Sequence, residues 1–402
     1  MVVAEINTVT GGSTGKIMLD IAQVARENGI EIYTFSSKIY RKDIKVQYKN
    51  IDNHFYFGNE VSSFFHKAIG RCLGINGFLS FFSTLKLVKQ LKDLRVDTIH
   101  LHNIHDFCIN LPVLFYYIKK HNIKVIWTLH DCWSFTGHCP YYTAAACNKW
   151  QNGCGHCPQK HVNPRIVLDT TKLMWRIKRR LFSDIRRLTI VTPSKWLAGE
   201  VQKSFLKDYP VIVINNGIDL SVFHYRGATG KQAFCENNKF MILGVASGWD
   251  SRKGIDVFIE MSNILDPQIY QIVLVGTNES IDRMLPNTIK SIHRTNNQDE
   301  LAQIYSCADV FVNPTKEDNY PTVNMEAIAC GTPVITYNTG GSSEMINNKT
   351  GSVIECNVDV LIREIERVRT LKPFIMTDCI QEAKSFDKWN AFNRYIELYQ
   401  QD

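Results

Sequence analysis

The sequence predicts an α/β protein of two doubly wound, Rossmann-like domains facing across a cleft. Three observations predict it. The chain has 402 residues, too many for one ordinary hydrophobic core. Short apolar runs alternate with helical patterns in two successive sets, as in parallel sheets covered on both faces. A turn-rich segment, NNGID at residues 215–219, separates the sets. The domains expected are therefore 1–215 and 216–385, the first carrying a Cys-rich insert at 132–160 and completed by a C-terminal helix over 386–402.

The first set opens with a strand over 2–6, a glycine loop (GGSTGK) and an amphipathic helix over 17–28. Strands are expected at 31–34, 98–101, 125–129 and 189–191, with helices at 84–94 and 111–121. The run 172–188, KLMWRIKRRLFSDIRRL, reads as a basic amphipathic helix. Met174, Ile177, Leu181 and Ile185 would form its core-facing stripe. Lys172, Arg176, Lys178, Arg179, Arg180, Arg186 and Arg187 would form a charged face able to rest on anionic lipid. In the second set, strands are expected at 240–245, 272–275, 310–312 and 334–336, and helices at 254–265, 298–307 and 323–330. An aromatic helix over 389–399 closes the chain.

Hydrophobic residues are 45% and charged residues 21% of the chain, the balance of a soluble globular protein. No apolar run is long enough to span a bilayer, and the N-terminus lacks the pattern of a signal peptide. A cytoplasmic location is expected, so the twelve cysteines are read as thiols. Scattered ones such as Cys72, Cys235 and Cys330 are expected to be small buried apolar residues. The net charge of +7 favours phosphates or anionic lipid as partners. No aromatic-studded basic tract supports nucleic-acid binding.

The segment most charged with chemistry is TKEDNYPTVNMEAIACGTPVITYNTGG, residues 315–341. Glu317 and Asp318 precede a helix that starts at Tyr320, Pro321 and Thr322, and Glu326 lies inside it. Unpaired N–H groups at a helix start suit a diphosphate. Asp318 and Glu326, eight residues apart, could then divide sugar hydroxyls and a ribose between them. The alternative is that Glu317 and Asp318 are helix-start acids worth about 0.3–1 kcal/mol each. In SGWDSRKG, residues 247–254, Arg252 and Lys253 could neutralise a departing nucleotide diphosphate, or could be a solvated basic pair. GGSTGKI, residues 11–17, is no P-loop, because Thr10 and Ile17 stand where glycine and Ser or Thr are required. Its Gly12 and Gly15 either permit close backbone approach to a ligand or make a tight turn; Lys16 is a further candidate.

His100, His102 and His130 fall at strand ends, where packed histidines are common. Cys139, Cys147, Cys154 and Cys157 crowd into the insert, the last two as C-x2-C, and could hold a structural zinc. His138 or His156 could replace one of them. A thiol-rich loop or a single disulfide are the alternatives.

These segments together resemble the retaining glycosyltransferases of family four, with the GT-B fold. The run from Glu317 and Asp318 to Glu326 is similar to that family's E-x7-E signature. TPSKWL (192–197) and INNGIDLSVF (214–223) are similar to the segments leading into its interdomain linker, and the last helix to the one that returns to the N-terminal domain. The resemblance implies that Asp318 contacts the donor sugar and Glu326 the ribose. The chain has Asp where most members have Glu, which leaves Glu317 as a rival for the sugar. Members usually carry Arg where Ser247 stands here, and Arg252 would substitute. His130 would face the donor sugar.

Catalysis would need no cofactor: no DxD metal motif ends a strand, and the leaving phosphate oxygen would take the acceptor's proton. The Cys-rich insert narrows the resemblance to bacterial surface-polysaccharide transferases of the colanic acid, O-antigen or capsule type. The partners implied are a nucleotide diphosphate sugar, an oligosaccharide or polyprenyl-linked acceptor in lipopolysaccharide or capsule synthesis, and the membrane surface. Two other readings stand beside this one: a nucleotide-sugar epimerase of the same fold, and a zinc-stabilised, non-catalytic interaction protein.

Overall fold

The computed structural model describes residues 1–37, 51–105, 107–162, 164–236 and 239–401. The chain divides into two compact units, residues 1–215 with 392–402, and residues 216–391. In the first, strands β1 (Val2–Ile6), β2 (Glu31–Ser36), β3 (His54–Tyr56), β4 (Thr98–Leu101), β5 (Lys124–Thr128), β6 (Leu188–Thr192) and β7 (Val211–Val213) form one sheet. Its order is β3-β2-β1-β4-β5-β6-β7, and every pairing is parallel. The second unit holds β8 (Phe240–Val245), β9 (Tyr270–Val275), β10 (Ile289–Ile292), β11 (Val310–Asn313), β12 (Val334–Tyr337) and β13 (Gly351–Ile354). Their order is β10-β9-β8-β11-β12-β13, again all parallel.

Both sheets are doubly wound. Central strands such as β4, β11 and β12 are buried along their whole length, because helices cover both faces. In the second unit two apolar clusters lie on opposite sides of the sheet, one around Phe311 and Tyr305, the other around Phe258 and Ile335. In each unit the winding reverses beside the first strand, between β1 and β4 and between β8 and β11. In such sheets ligands bind outside the carboxyl ends of strands at this reversal.

Local structure departs from expectation at several points. The first helix is Gly12–Glu27, so the glycine loop contributes its opening turn. The basic helix is Thr171–Phe182, not 172–188. Ser183 is extended and Asp184 turns to φ +60°, which ends it, and Leu188 pairs with Val125 in the sheet. Met174 and Ile185 are buried, while Ile177 and Leu181 are only half-buried. Lys178 is not on a solvated face: it is 1% exposed. Its ammonium donates to the carbonyls of Trp133 (2.6 Å) and Thr136 (2.9 Å) and lies over the Trp133 ring. Cys235 and Cys330 are buried, but Cys72 is exposed, because it sits on the outer face of a helix, Glu60–Leu73, that was not among the expected elements.

Candidate functional site

In the second unit the reversal between β8 and β11 brings two loops together. Val310 and Phe311 pair with Ile242 and Leu243, so the segments that follow both strands emerge side by side. One is SGWDSRKG. Trp249 anchors it by burying its ring and donating to the Val275 carbonyl (3.0 Å). Arg252 and Lys253 sit in a short 3-10 turn capped by Asp250, whose carboxylate accepts the Lys253 N–H. The other is the TKEDNYP loop. Lys316 donates its backbone N–H to the Arg252 carbonyl (2.8 Å), and the Arg252 guanidinium donates to the Glu317 carbonyl (3.1 Å). Gly254 has φ +82°, and a Cβ there would stand 2.6 Å from the Pro314 carbonyl oxygen. Only glycine lets the loops approach this closely.

The structure therefore brings Arg252, Lys253, Glu317 and Asp318 together. The Lys253 ammonium lies 2.5 Å from an Asp318 carboxylate oxygen, with both side chains largely shielded. The other Asp318 oxygen accepts the Asn319 N–H (2.9 Å). Glu317 is buried. Tyr320 and Pro321 are buried and Thr322 opens the helix Thr322–Ala329, whose N-cap position, Pro321, offers no side-chain cap. Glu326 is one turn inside, half-buried, and accepts from the Tyr305 hydroxyl (3.1 Å). Burial, and then the charge of Glu326, push the Tyr305 phenol well above its ordinary range, so it stays a donor.

Sequence reasoning did not identify Tyr305 or Gly340. Gly340, at φ +55°, would place a Cβ 1.8 Å from the Asp318 carbonyl oxygen. The TGG run in the 315–341 segment was its signal.

In the first unit the reversal between β1 and β4 lies beside the glycine loop. Gly12, φ +74°, has open space where a Cβ would be, whereas at Gly15 a Cβ would strike the Thr10 carbonyl carbon at 2.4 Å. Gly15 thus serves close packing of the helix on its own loop, and Gly12 leaves the helix start accessible. Lys16 pairs with Asp20 (2.7 Å) on the same helix.

His130 follows β5 in a pocket lined also by His102, His105, Asp131 and Trp133. Its Nε2 is 3.0 Å from His102 Nδ1, with the rings stacked. Burial, then the neighbouring His102, His100 and His105, hold it well below the ordinary imidazole range, so His130 is neutral. Beneath it, Glu5 stands opposite His100 in the β1–β4 register. His100 Nδ1 meets Glu5 (3.0 Å) and the Tyr399 hydroxyl (2.7 Å), and its Nε2 meets Thr128 (2.8 Å). His102 Nε2 is 3.7 Å from Glu5. Although burial pushes the Glu5 carboxyl up, the hydrogen bonds and charges of His100 and His102 bring it below its ordinary value.

Among the described residues Glu5, His100 and His102 are the one trio of His, Cys, Asp or Glu whose donor atoms lie within 4.8 Å of one another. Both nitrogens of His100 are committed to protein partners, which fits a hydrogen-bond network better than a metal site.

The four insert cysteines are near enough that their charges act on one another, but no three of their sulfurs meet that 4.8 Å spacing. Their number and chemistry suit zinc, but the sulfurs are not drawn to ligand spacing. Burial pushes Cys154 up to about 11 and Cys139 further.

Known proteins share both halves of the chain. The profile described as Glycosyltransferase Family 4 matches residues 14–222, and that described as Glycosyl transferases group 1 matches residues 239–370. A chain of Escherichia coli (strain K12) named as a colanic acid biosynthesis glycosyl transferase, WcaC, is 23% identical over 365 residues, 87% of this chain and 85% of its own length. The N,N'-diacetylbacillosaminyl-diphospho-undecaprenol alpha-1,3-N-acetylgalactosaminyltransferase of Campylobacter jejuni is 24% identical over 212 residues, 48% of this chain and 55% of its own. Among solved structures, sucrose-phosphate synthase from Thermosynechococcus elongatus superposes with TM-score 0.71 at 17% identity, covering 99% of this chain and 98% of its own. Anabaena HepE in complex with UDP-glucose gives 0.68 at 16% identity, covering 99% of each. These likenesses establish the two-sheet, GT-B fold. Among the described residues no helix is long and apolar enough to cross a membrane.

Proposed function

Because the chain belongs to glycosyltransferase family 4, we propose that it transfers a sugar, with retention of anomeric configuration, from a nucleoside diphosphate donor to an oligosaccharide on a polyprenyl diphosphate carrier. The observation that carries this reading is the Lys253–Asp318 pair, held at 2.5 Å where β8 and β11 diverge. The two charges satisfy each other. A diphosphate forms stronger charge-assisted bonds to Lys253 and releases Asp318 to the sugar hydroxyls. Arg252 adds a second cation, the helix start at Tyr320–Thr322 offers backbone N–H groups, and Glu326, steadied by Tyr305, takes the ribose. Glu317 is the alternative partner of the sugar.

In the transfer step the bond between the anomeric carbon and the phosphate oxygen breaks. The acceptor oxygen attacks from the same face, and the departing oxygen takes its proton. Lys253 and Arg252 stabilise the charge that develops there, so no metal is required on this reading. Neutral His130 bonds a sugar hydroxyl, and Gly12 leaves room at the helix tip for a ligand oxygen. The four insert cysteines are proposed to close on a structural zinc, which serves the fold and not the chemistry.

The lipid carrier draws support from the Campylobacter relative, whose name gives a diphospho-undecaprenol acceptor. The WcaC relative, named for colanic acid synthesis, supports a surface polysaccharide as the product. A labelled nucleotide sugar incubated with lipid extract tests the reading. Label should move to lipid with the anomeric configuration of the donor. Release of an epimerised nucleotide sugar, with nothing transferred, would favour the epimerase instead.

A further inference from the structure

The helix Glu60–Leu73 is built inside out. Its buried residues are Ser63, His66 and Gly70. The solvent face carries Val61, Phe64, Phe65, Ile69 and Leu73, with Phe65 58% exposed. The inner side is small and polar for a visible reason. His66 bonds Ser80 (2.7 Å), and at Gly70 a Cβ would lie 2.7 Å from the Phe107 ring. Among the described residues, Val61, Ile69 and Leu73 of the outer face have no such account.

It also continues beyond the helix. The next helix, Phe81–Asp93, exposes Phe81, Leu85 and Phe82, the last at 84%. Val167 and Leu168, both exposed, donate their backbone N–H groups to the carbonyls of Arg71 and Cys72, so they extend the patch from the end of the first helix. Exposed large apolar side chains gathered on neighbouring segments mark an interaction site.

Its border is mainly basic, with Glu60 at the start of the first helix as the exception. Lys67 and Arg71 flank the inside-out helix, and Lys86 and Lys89 are exposed on the next one. The helix Thr171–Phe182 starts beside the end of the first, through the Thr170 hydroxyl bonded to the Gly74 carbonyl (2.6 Å), and exposes Lys172 and Arg176. Asp169, the acid nearest that junction, is occupied locally by Cys157 and Thr171.

We infer that this apolar ridge with its cationic border docks on the surface of an anionic phospholipid bilayer, its phenylalanines inserted among the headgroups. Aromatic and branched residues framed by Lys and Arg are the composition of an interfacial helix. Exposed cations add attraction to acidic lipid that neutral lipid lacks. The basic helix alone is not the contact, because its own apolar stripe is largely turned inward. The inference deepens the lipid-carrier reading by naming the surface that meets the membrane. It stands on residues outside the donor loops.

The test is sedimentation of the full chain with phosphatidylcholine vesicles, with and without phosphatidylglycerol. The chain should pellet with the anionic vesicles and much less with the neutral ones. Phe65→Ser with Phe82→Ser should weaken that binding about tenfold or more. Lys89→Gln with Lys172→Gln should weaken it about fivefold per charge. Because these residues are exposed, thermal unfolding and sugar transfer to a lipid-free acceptor should be unchanged. In Phe82→Trp, tryptophan emission should shift to the blue on adding anionic vesicles. No pelleting of the wild type, equal pelleting of the double phenylalanine variant, or no blue shift would overturn the inference. So would self-association without lipid that the phenylalanine substitutions abolish. Donor binding is read separately, so failure here leaves the transferase reading standing.

Discussion

Mild acid should destabilise the first unit selectively. Burial foremost, and then the charge of His102, hold His100 at about 4 even though Glu5 pulls the other way. In the unfolded chain it titrates near 6.5. A histidine held down in the fold contributes stability that is complete above its unfolded value and is lost as pH falls towards the folded one. The window is therefore pH 6.5 to about 4. Linkage puts the loss from His100 alone at roughly 2 kcal/mol between pH 7 and 5. For a unit of this size that is roughly 4–8 °C in Tm. His54, His66, His138 and His130 are also held down, chiefly by burial, and all lie in the first unit. Glu5 adds its share only at lower pH, because its carboxyl is shifted below the usual range.

Tryptophan fluorescence reports on this unit, since Trp127, Trp133, Trp150, Trp175 and Trp196 belong to it and only Trp249 and Trp389 to the other. The drop in Tm from pH 7 to 5 should shrink in His100→Gln, which keeps a hydrogen-bonding side chain but cannot titrate. An identical drop in variant and wild type, or no drop at all, would refute the reasoning.

Gly340→Ala should push the Asp318 carbonyl away and lower transfer by roughly a hundredfold with the fold intact, checked by steady-state kinetics beside circular dichroism. Tyr305→Phe removes the hydrogen bond to Glu326 and should raise KM for the donor about tenfold, with little change in kcat. His102→Leu removes a neighbour that helps hold His130 below the ordinary imidazole range, and the acid limb of the pH–rate profile should move to higher pH. Metal analysis of the full chain should find about one zinc per molecule, and its removal by a chelator should lower the stability of the first unit while leaving donor binding in place.

Regular elements with a clean burial pattern were legible in the sequence. Leu111–His121, Phe240–Val245 and Gln298–Cys307 fall where periodicity put them, because burial on both sides of a sheet enforces unbroken apolar runs and clean helical stripes. The short strands His54–Tyr56 and Val211–Val213 were not legible, being three residues long and only half-buried. Glu60–Leu73 was missed although Val61, Phe64, Phe65, Ile69 and Leu73 recur at helical spacing; what the sequence could not show is that this apolar face points outward. The loops after β8 and β11 could be read as candidate ligand sites from their charges. Their contact could not, since it depends on strand order. Glu5 was hidden for the same reason: a carboxylate within VVAEI becomes interpretable only when register sets it against His100.

The claim on which most depends is that the second unit grips the donor's diphosphate through Lys253. Calorimetric titration of nucleoside diphosphate sugars into the wild type and into Lys253→Ala measures it directly. Loss of a charge-assisted bond should weaken binding about tenfold or more, with unfolding unchanged. Equal affinity in the two proteins would contradict it.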